Sequence, residues 1–97
     1  MGTTPLASPA TGTVLERKQY PSYKIIVLND EVNTFQHVVD VLVKYLPGMN
    51  PDKAWGLAQE VDREGQAIVW VGPQEQAEHY HQQLAMEGLT MAPLERA

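Results

Sequence analysis

Residues 23–31 read Tyr-Lys-Ile-Ile-Val-Leu-Asn-Asp-Glu. The first six are mostly apolar, include three β-branched residues and show no helical period, which predicts a strand over residues 23–28. Its continuous hydrophobicity indicates a central position in a sheet or burial on both faces. The strand ends in an amide and two carboxylates, Asn29, Asp30 and Glu31. Anionic acceptors beside an apolar surface suit a ligand that carries a positive charge next to a hydrophobic group.

The segment after this strand predicts an amphipathic helix. Thr34 is its predicted N-cap, because a threonine hydroxyl can accept a hydrogen bond from a free backbone N–H. Apolar residues then recur at helical spacing, and Pro47-Gly48 ends the helix. The apolar stripe consists of Phe35, Val38, Val39, Leu42 and Leu46.

Two more helices and two more strands follow. Asn50 caps a second helix that begins at Pro51 and stops at Glu64-Gly65. We predict a strand over residues 66–71, a helix over 73–87 and a last strand over 89–94, which Pro93 assigns to a sheet edge. The fold class is therefore α+β, in the order β-α-α-β-α-β. Three helices cover a small three-stranded antiparallel sheet.

Composition limits what the chain can do. Residues 1–20 are small, polar and proline-containing and predict a flexible N-terminal extension, which leaves 21–97 as one small domain. No cysteine is present, so disulfides and thiolate chemistry are excluded. The net charge of −5 and the scattered basic residues argue against a nucleic-acid partner. Without a signal segment or a long apolar run, we expect a cytoplasmic protein with no membrane partner.

The histidines do not predict a metal site. His79 and His81 are two residues apart on a helix, so their rings point roughly 200° apart, and His37 is alone. We expect no metal and no cofactor. A domain this small also has little room for a substrate cleft, so we expect no catalytic residues and no enzymatic activity.

Several motifs occur together along the chain. They are the first strand with its Asn-Asp, the helix that begins at Phe35, Val61…Gly65-Gln66-Ala67, Glu75-Gln76-Ala77-Glu78 and the terminal Leu-Glu-Arg-Ala. Over about residues 20–97 this set resembles the ClpS family, small adaptors that recognise N-degrons, the destabilising first residues of proteins, for AAA+ Clp proteases. The short third helix followed by Leu-Thr is similar to cyanobacterial or plastid members.

The resemblance implies the same fold and a non-enzymatic, monomeric adaptor. The implied partners are an N-degron substrate and the N-terminal domain of the Clp ATPase ClpA or ClpC.

The resemblance implies an amine site at the end of the first strand. Asn29 and one of the two carboxylates, Asp30 or Glu31, would accept hydrogen bonds from the substrate α-ammonium group. Most members have aspartate where this chain has Glu31, so the longer side chain favours a water bridge. Asp62 stands where members usually have an amine-contacting histidine. An ionised carboxylate only accepts hydrogen bonds, so Asp62 either receives one from the ammonium or points to water.

The resemblance also implies an apolar pocket for the first side chain. Ala58 replaces a common methionine and should widen or reshape the pocket, whereas Phe35, also commonly methionine, narrows its rim. We therefore expect an altered order of preference among Leu, Phe, Tyr and Trp. The implied lining is Asn33, Phe35, Val38, Leu42, Ala58 and Val61.

Docking to the ATPase is implied for the third helix. Glu75 matches a glutamate used for docking, but Tyr80 stands where relatives have a lysine, which predicts a different or weaker docking surface.

Two alternative functions remain open from the sequence. One alternative is an interaction module that modulates a Clp ATPase without binding N-degrons. Another is a small hydrolase in which Asp30, Glu31 and Asp62 act as acid, base or ligands of Mg²⁺ or Ca²⁺.

Overall fold

The central strand of the sheet is β1, Ser22–Leu28. In this computed structural model, which describes residues 21–97, β1 pairs antiparallel with β2, Gln66–Pro73, and with β3, Glu95–Arg96, giving the order β2-β1-β3. The predicted central position is confirmed. The predicted extension, residues 1–20, lies outside the described part of the chain.

A β-bulge interrupts the pairing of β1 with β2. Ile25 lies opposite Trp70, but Ile26 lies opposite Ile68, so Val69 is an extra residue on β2. A bulge bends a strand and increases its twist. Ala67 and Val69, two residues apart on β2, both enter the core, whereas Ile68 between them faces the other side.

Three helices connect the strands: α1 is Phe35–Tyr45, α2 is Pro51–Glu64 and α3 is Gln74–Met86. The predicted N-caps are confirmed. Thr34 accepts a hydrogen bond from the backbone N–H of His37, and Asn50 accepts one from Lys53. The predicted stop of α2 is also confirmed, because Gly65 adopts a left-handed conformation with φ of 89°.

The core lies between the helices and one face of the sheet. Alternate residues of β1 contribute to it, Ile25 and Val27, whereas Ile26 points to the opposite face. On that opposite face Ile68 remains about half exposed. Leu46, the C-cap of α1, also belongs to the core. The helices contribute Val38, Val39, Val41, Leu42, Ala54, Ala58, Val61, Ala77 and Leu84.

The last strand differs from the prediction. A strand over residues 89–94 is wrong, because regular pairing is confined to Glu95 and Arg96, preceded by a single bridge between Val27 and Met91. Pro93 has no N–H to donate to a ladder, which accounts for the interruption. The edge position that Pro93 predicted is confirmed. None of the helices within residues 21–97 has the length and apolar character needed to cross a membrane.

Candidate functional site

Three parts of the chain meet at the end of β1. The backbone N–H of Leu28 donates to the carbonyl of Thr90 at 2.8 Å, and that of Asn29 donates to the carbonyl of Gly65 at 2.9 Å. The end of the strand is thus fastened on one side to the C-terminal segment and on the other to the turn after α2. These two bonds fix the backbone that carries Asn29.

Asp30 organises the loop that follows. Its Oδ1 accepts hydrogen bonds from the backbone N–H groups of Val32 at 2.8 Å and Asn33 at 2.7 Å. Its Oδ2 accepts from the side-chain amide of Asn33 and from the hydroxyl of Thr90, both at 2.7 Å. The Asn33 amide also donates to the carbonyl of Gly88 at 2.9 Å. The loop is therefore tied to the segment between α3 and β3.

These donors stabilise the ionised form of Asp30. The backbone N–H of Asn33, the Thr90 hydroxyl, the Asn33 amide and the backbone N–H of Val32, in that order, hold the pKa of the Asp30 carboxyl far below its usual range. Desolvation opposes this shift only weakly. Asp30 is therefore a fixed negative charge at neutral pH.

A small cavity of about 60 Å³ opens beside this loop. β1 forms one wall, the first turns of α1 a second, the last turns of α2 a third and the segment after α3 a fourth. The lining consists of Val27, Leu28, Asn29, Asp30, Asn33, Phe35, Val38, Ala58, Val61, Asp62, Leu89 and Thr90.

The cavity has an apolar part and a polar part. Ala58, Val61 and Asp62 share one face of α2 because they are three and four residues apart. Phe35 packs edge-on against Trp55 of α2, with the ring centroids 5.5 Å apart, which holds its ring at the rim. Within residues 21–97, none of the side chains that line this cavity belongs to a lysine or an arginine. The arrangement can receive an apolar group and a cation together.

The structure brings most of the predicted site residues together. Asn29, Asp30 and Asp62 line the cavity, as do the predicted pocket residues other than Leu42. Leu42 is fully buried in the core and is not part of the lining, and Glu31 is exposed outside it.

Sequence reasoning missed part of the lining. Alternation along β1 could have indicated Val27, which faces the core. Leu89 and Thr90 carry no local signal, because the hydrogen bonds that hold this segment at the cavity join Thr90 to Leu28 and Asp30, about 60 positions earlier. Trp55, which supports Phe35, was assigned no role.

The predicted docking residues lie elsewhere. Glu75 is exposed and lines a broad cleft of about 640 Å³ with Pro21, Ser22 and other residues at the start of α3. Tyr80 is half-buried, and its ring contacts Trp70 edge-on with centroids 5.0 Å apart. Part of the Tyr80 side chain is thus used in packing.

The remaining titratable groups do not converge. Within residues 21–97 no three histidine, aspartate or glutamate side chains are placed to share a metal ion. His37 and His81 instead hydrogen-bond through Nε2 to the carbonyls of Glu87 and Ala92, each at 2.8 Å.

Comparison with known proteins identifies relatives along nearly the whole chain. Residues 18–95 match the model of the family described as ATP-dependent Clp protease adaptor protein ClpS. The ATP-dependent Clp protease adapter protein ClpS of a Nostoc species is 63% identical over 97 residues. The alignment covers the full length of both chains. The ClpS adapter protein of a Synechocystis species is 64% identical over 91 residues, and the alignment covers 94% of this chain and 93% of the relative.

A solved structure shares the fold. Agrobacterium tumefaciens ClpS2 bound to L-phenylalaninamide superposes with a TM-score of 0.73, covering 79% of this chain and 98% of its own. The two chains are 24% identical, so the likeness shows the fold alone. It confirms the predicted β-α-α-β-α-β arrangement.

Proposed function

The chain belongs to the ClpS family of Clp protease adaptors, and from this we propose that it captures proteins by a free, bulky first residue. Family membership makes it an adaptor and not an enzyme, as the sequence predicted. The proposed substrates are N-degron proteins that begin with Leu, Phe, Tyr or Trp. Delivery would be to the ATPase of a Clp protease, ClpC or ClpA with ClpP.

The observation that carries this proposal is a cavity with an apolar interior and an anionic, amide-bearing edge. An α-ammonium group has three N–H donors. The side-chain amide oxygen of Asn29 and the carboxylate of Asp62 can each accept a hydrogen bond from it. Each charge-assisted hydrogen bond contributes about 1.5–3 kcal/mol net. Burial of a leucine or phenylalanine side chain contributes a similar 1.5–3 kcal/mol. The two parts together would distinguish a chain's first residue from any internal one.

The electrostatics support a cationic ligand. Asp30 and Asp62 line the cavity, Glu31 lies just outside it, and the chain carries a net charge of −5. With no basic side chain in the lining, an ammonium group would meet only favourable charge. The ligand of the Agrobacterium relative, L-phenylalaninamide, combines a free amine with an apolar side chain.

For the ATPase partner we propose the cleft at the start of α3. Glu75 is exposed there, and it matches the docking glutamate implied by the resemblance. The protein would work as a cytoplasmic monomer that binds the N-terminal domain of the ATPase. Residues 1–20 would help to hand the substrate over.

The test is fluorescence anisotropy with a labelled peptide that begins with leucine. A peptide with a free amine should bind, whereas the same peptide acetylated at its N-terminus should not, because the amide that acetylation creates carries no charge. A glycine-initiated peptide is the control for the apolar part. Equal affinity for the free and acetylated peptides would contradict the proposal, and binding of neither would favour a modulator that docks on the ATPase without recognising N-degrons.

A further inference from the structure

The hydrogen bonds of Asp30 leave it little capacity for a ligand. An ionised carboxylate has about four lone-pair sites, and Asp30 accepts four hydrogen bonds at 2.7–2.8 Å. An incoming ammonium group would have to displace one of these donors. The geometry therefore separates Asp30 from Asn29 and Asp62, for which the structure shows no comparable set of side-chain bonds within residues 21–97.

The Asp30 donors connect distant parts of the chain. Thr90 lies 60 residues further along, and its hydroxyl bonds to Asp30 while its carbonyl accepts from Leu28. Thr90 is thus hydrogen-bonded both to the residue before Asn29 and to the residue after it. Asn33 adds a third tie through the carbonyl of Gly88.

These ties also shape the cavity. Leu89 and Thr90 form one wall of the cavity, and Leu89 is buried. If the ties were broken, the segment 88–90 would be free to move away from β1. The wall of the cavity and the orientation of Asn29 would then change together.

We propose that Asp30, Asn33 and Thr90 form a clasp that positions the amine site and the cavity wall, and that Asp30 acts through this clasp and not as a ligand of the substrate amine. This inference rests on the proposed function, because it concerns how the same site is held. Thr90 is then a positioning residue, because its hydroxyl bonds to Asp30 and not to the substrate.

A double-mutant cycle with Thr90→Val and Asp30→Asn tests the clasp. Valine keeps the shape of threonine and removes only the hydroxyl. We expect Thr90→Val to bind a leucine-initiated peptide roughly tenfold more weakly. The double variant should bind no more weakly than Asp30→Asn alone, because both changes break the same connection. Asp52→Asn, at the far end of α2, is the matched control for the loss of one negative charge and should bind like the wild-type protein.

Hydrogen exchange separates positioning from a general loss of stability. The amides of Val32 and Asn33 donate to Asp30, and that of Leu28 donates to Thr90. All three should exchange faster in Thr90→Val, while amides in the middle of α2 keep their wild-type rates. Wild-type affinity in Thr90→Val, or losses that simply add, would overturn the clasp and leave Asp30 as a direct ligand. If the wild-type protein itself binds no leucine peptide, the proposed function has failed, and exchange at these amides still decides whether the clasp exists.

Discussion

Asp62 lines the proposed amine site at the position where the family resemblance implies a histidine. A carboxylate accepts hydrogen bonds and carries a negative charge throughout the neutral range, whereas an imidazole titrates near pH 6.5 and becomes a cation below it. Asp62 lines the cavity together with Asn29. In the proposed complex its carboxylate would accept a hydrogen bond from the substrate ammonium group.

The exchange Asp62→His should therefore create a pH dependence that the wild-type protein lacks. Between about pH 7 and pH 5.5 we expect the affinity of the variant for a leucine-initiated peptide to fall, because the imidazolium that forms in this range repels the ammonium group. The wild-type affinity should change less over the same range. Anisotropy titrations in buffers of equal ionic strength measure both. If the affinities of the variant and the wild-type protein depended on pH in the same way, residue 62 would not face the substrate amine.

Ala58 lines the apolar part of the cavity. The cavity of about 60 Å³ is smaller than the roughly 150 Å³ that encloses a benzene ring, so a phenyl group would fill it only by opening it or by leaving part of its surface outside. Leucine should fit with less adjustment. The sequence predicted a change in preference at this position, and from the cavity size we expect leucine to be favoured.

Replacing Ala58 with methionine should shrink the cavity and penalise large side chains most. We expect Ala58→Met to weaken binding of a tryptophan-initiated peptide by about tenfold, which corresponds to about 1.4 kcal/mol, and that of a leucine-initiated peptide by less. Competition titrations with Leu, Phe and Trp peptides measure the order. An unchanged order would mean that Ala58 does not limit the pocket.

At single residues, the sequence indicated most of the side chains that lie at the site but not what each one does. It left Asp30 and Glu31 as alternative candidates, because both follow Asn29 on the same loop. The structure distinguishes them: Asp30 lines the cavity with its acceptor sites occupied by Thr90 and Asn33, whereas Glu31 is exposed outside it. That information is tertiary and has no signature within the loop itself.

At the level of elements, Gly65 joins the end of α2 to the site. Its φ of 89° lies in the left-handed region, and its carbonyl accepts the backbone N–H of Asn29. A glycine adopts this conformation without strain, whereas alanine does not. The turn that ends a helix therefore also positions the residue proposed to hold the substrate amine.

Gly65→Ala should reduce both stability and binding. We expect the free energy of unfolding to fall by about 1 kcal/mol or more because of the left-handed conformation, together with weaker binding of the leucine-initiated peptide. Gly56→Ala is the matched control, because Gly56 lies inside α2 and an added Cβ meets no atom within 4 Å. That control should raise helix stability. Denaturant unfolding and anisotropy measure the pair, and equal effects of the two exchanges would contradict this role of Gly65.

The elements themselves were predictable where their signals are local. Thr34 and Asn50 cap their helices through the N–H of a residue three positions later, so spacing alone identified them. The C-terminal segment was mispredicted because its pairing depends on β1. The N–H of Ala92 donates to Ile26 and that of Leu28 donates to Thr90, so the segment lies along β1 without forming a regular ladder.

At the scale of the whole molecule, Asp30 links acid stability to the site. Because the pKa of its carboxyl is lower in the folded chain than its ordinary value near 3.9, ionised Asp30 stabilises the fold at every pH above that value. This contribution is lost as the pH falls below about 4 towards the folded-state pKa. The bonds to Thr90 and Asn33 that depend on this charge connect β1, the loop before α1 and the C-terminal segment.

Asp30→Asn should therefore be less stable than the wild-type protein by a constant amount between pH 5 and pH 7. Below about pH 4 the difference should shrink, because protonation then removes the same charge from the wild-type chain. Urea unfolding at a series of pH values measures this difference. Asp52→Asn serves as the control and should show no comparable convergence with the wild-type curve. A difference that grows on acidification would contradict the assignment.

The most direct measurement of the central claim is a crystal structure of the protein with a leucine-initiated peptide. We predict that the peptide's ammonium nitrogen lies within about 3 Å of the Asn29 side-chain oxygen, with the leucine side chain between Phe35, Ala58 and Val61. Asp30 should keep its bonds to Thr90 and Asn33. A complex in which the first residue lies outside this cavity, or in which the cavity closes on the protein's own side chains, would contradict the account.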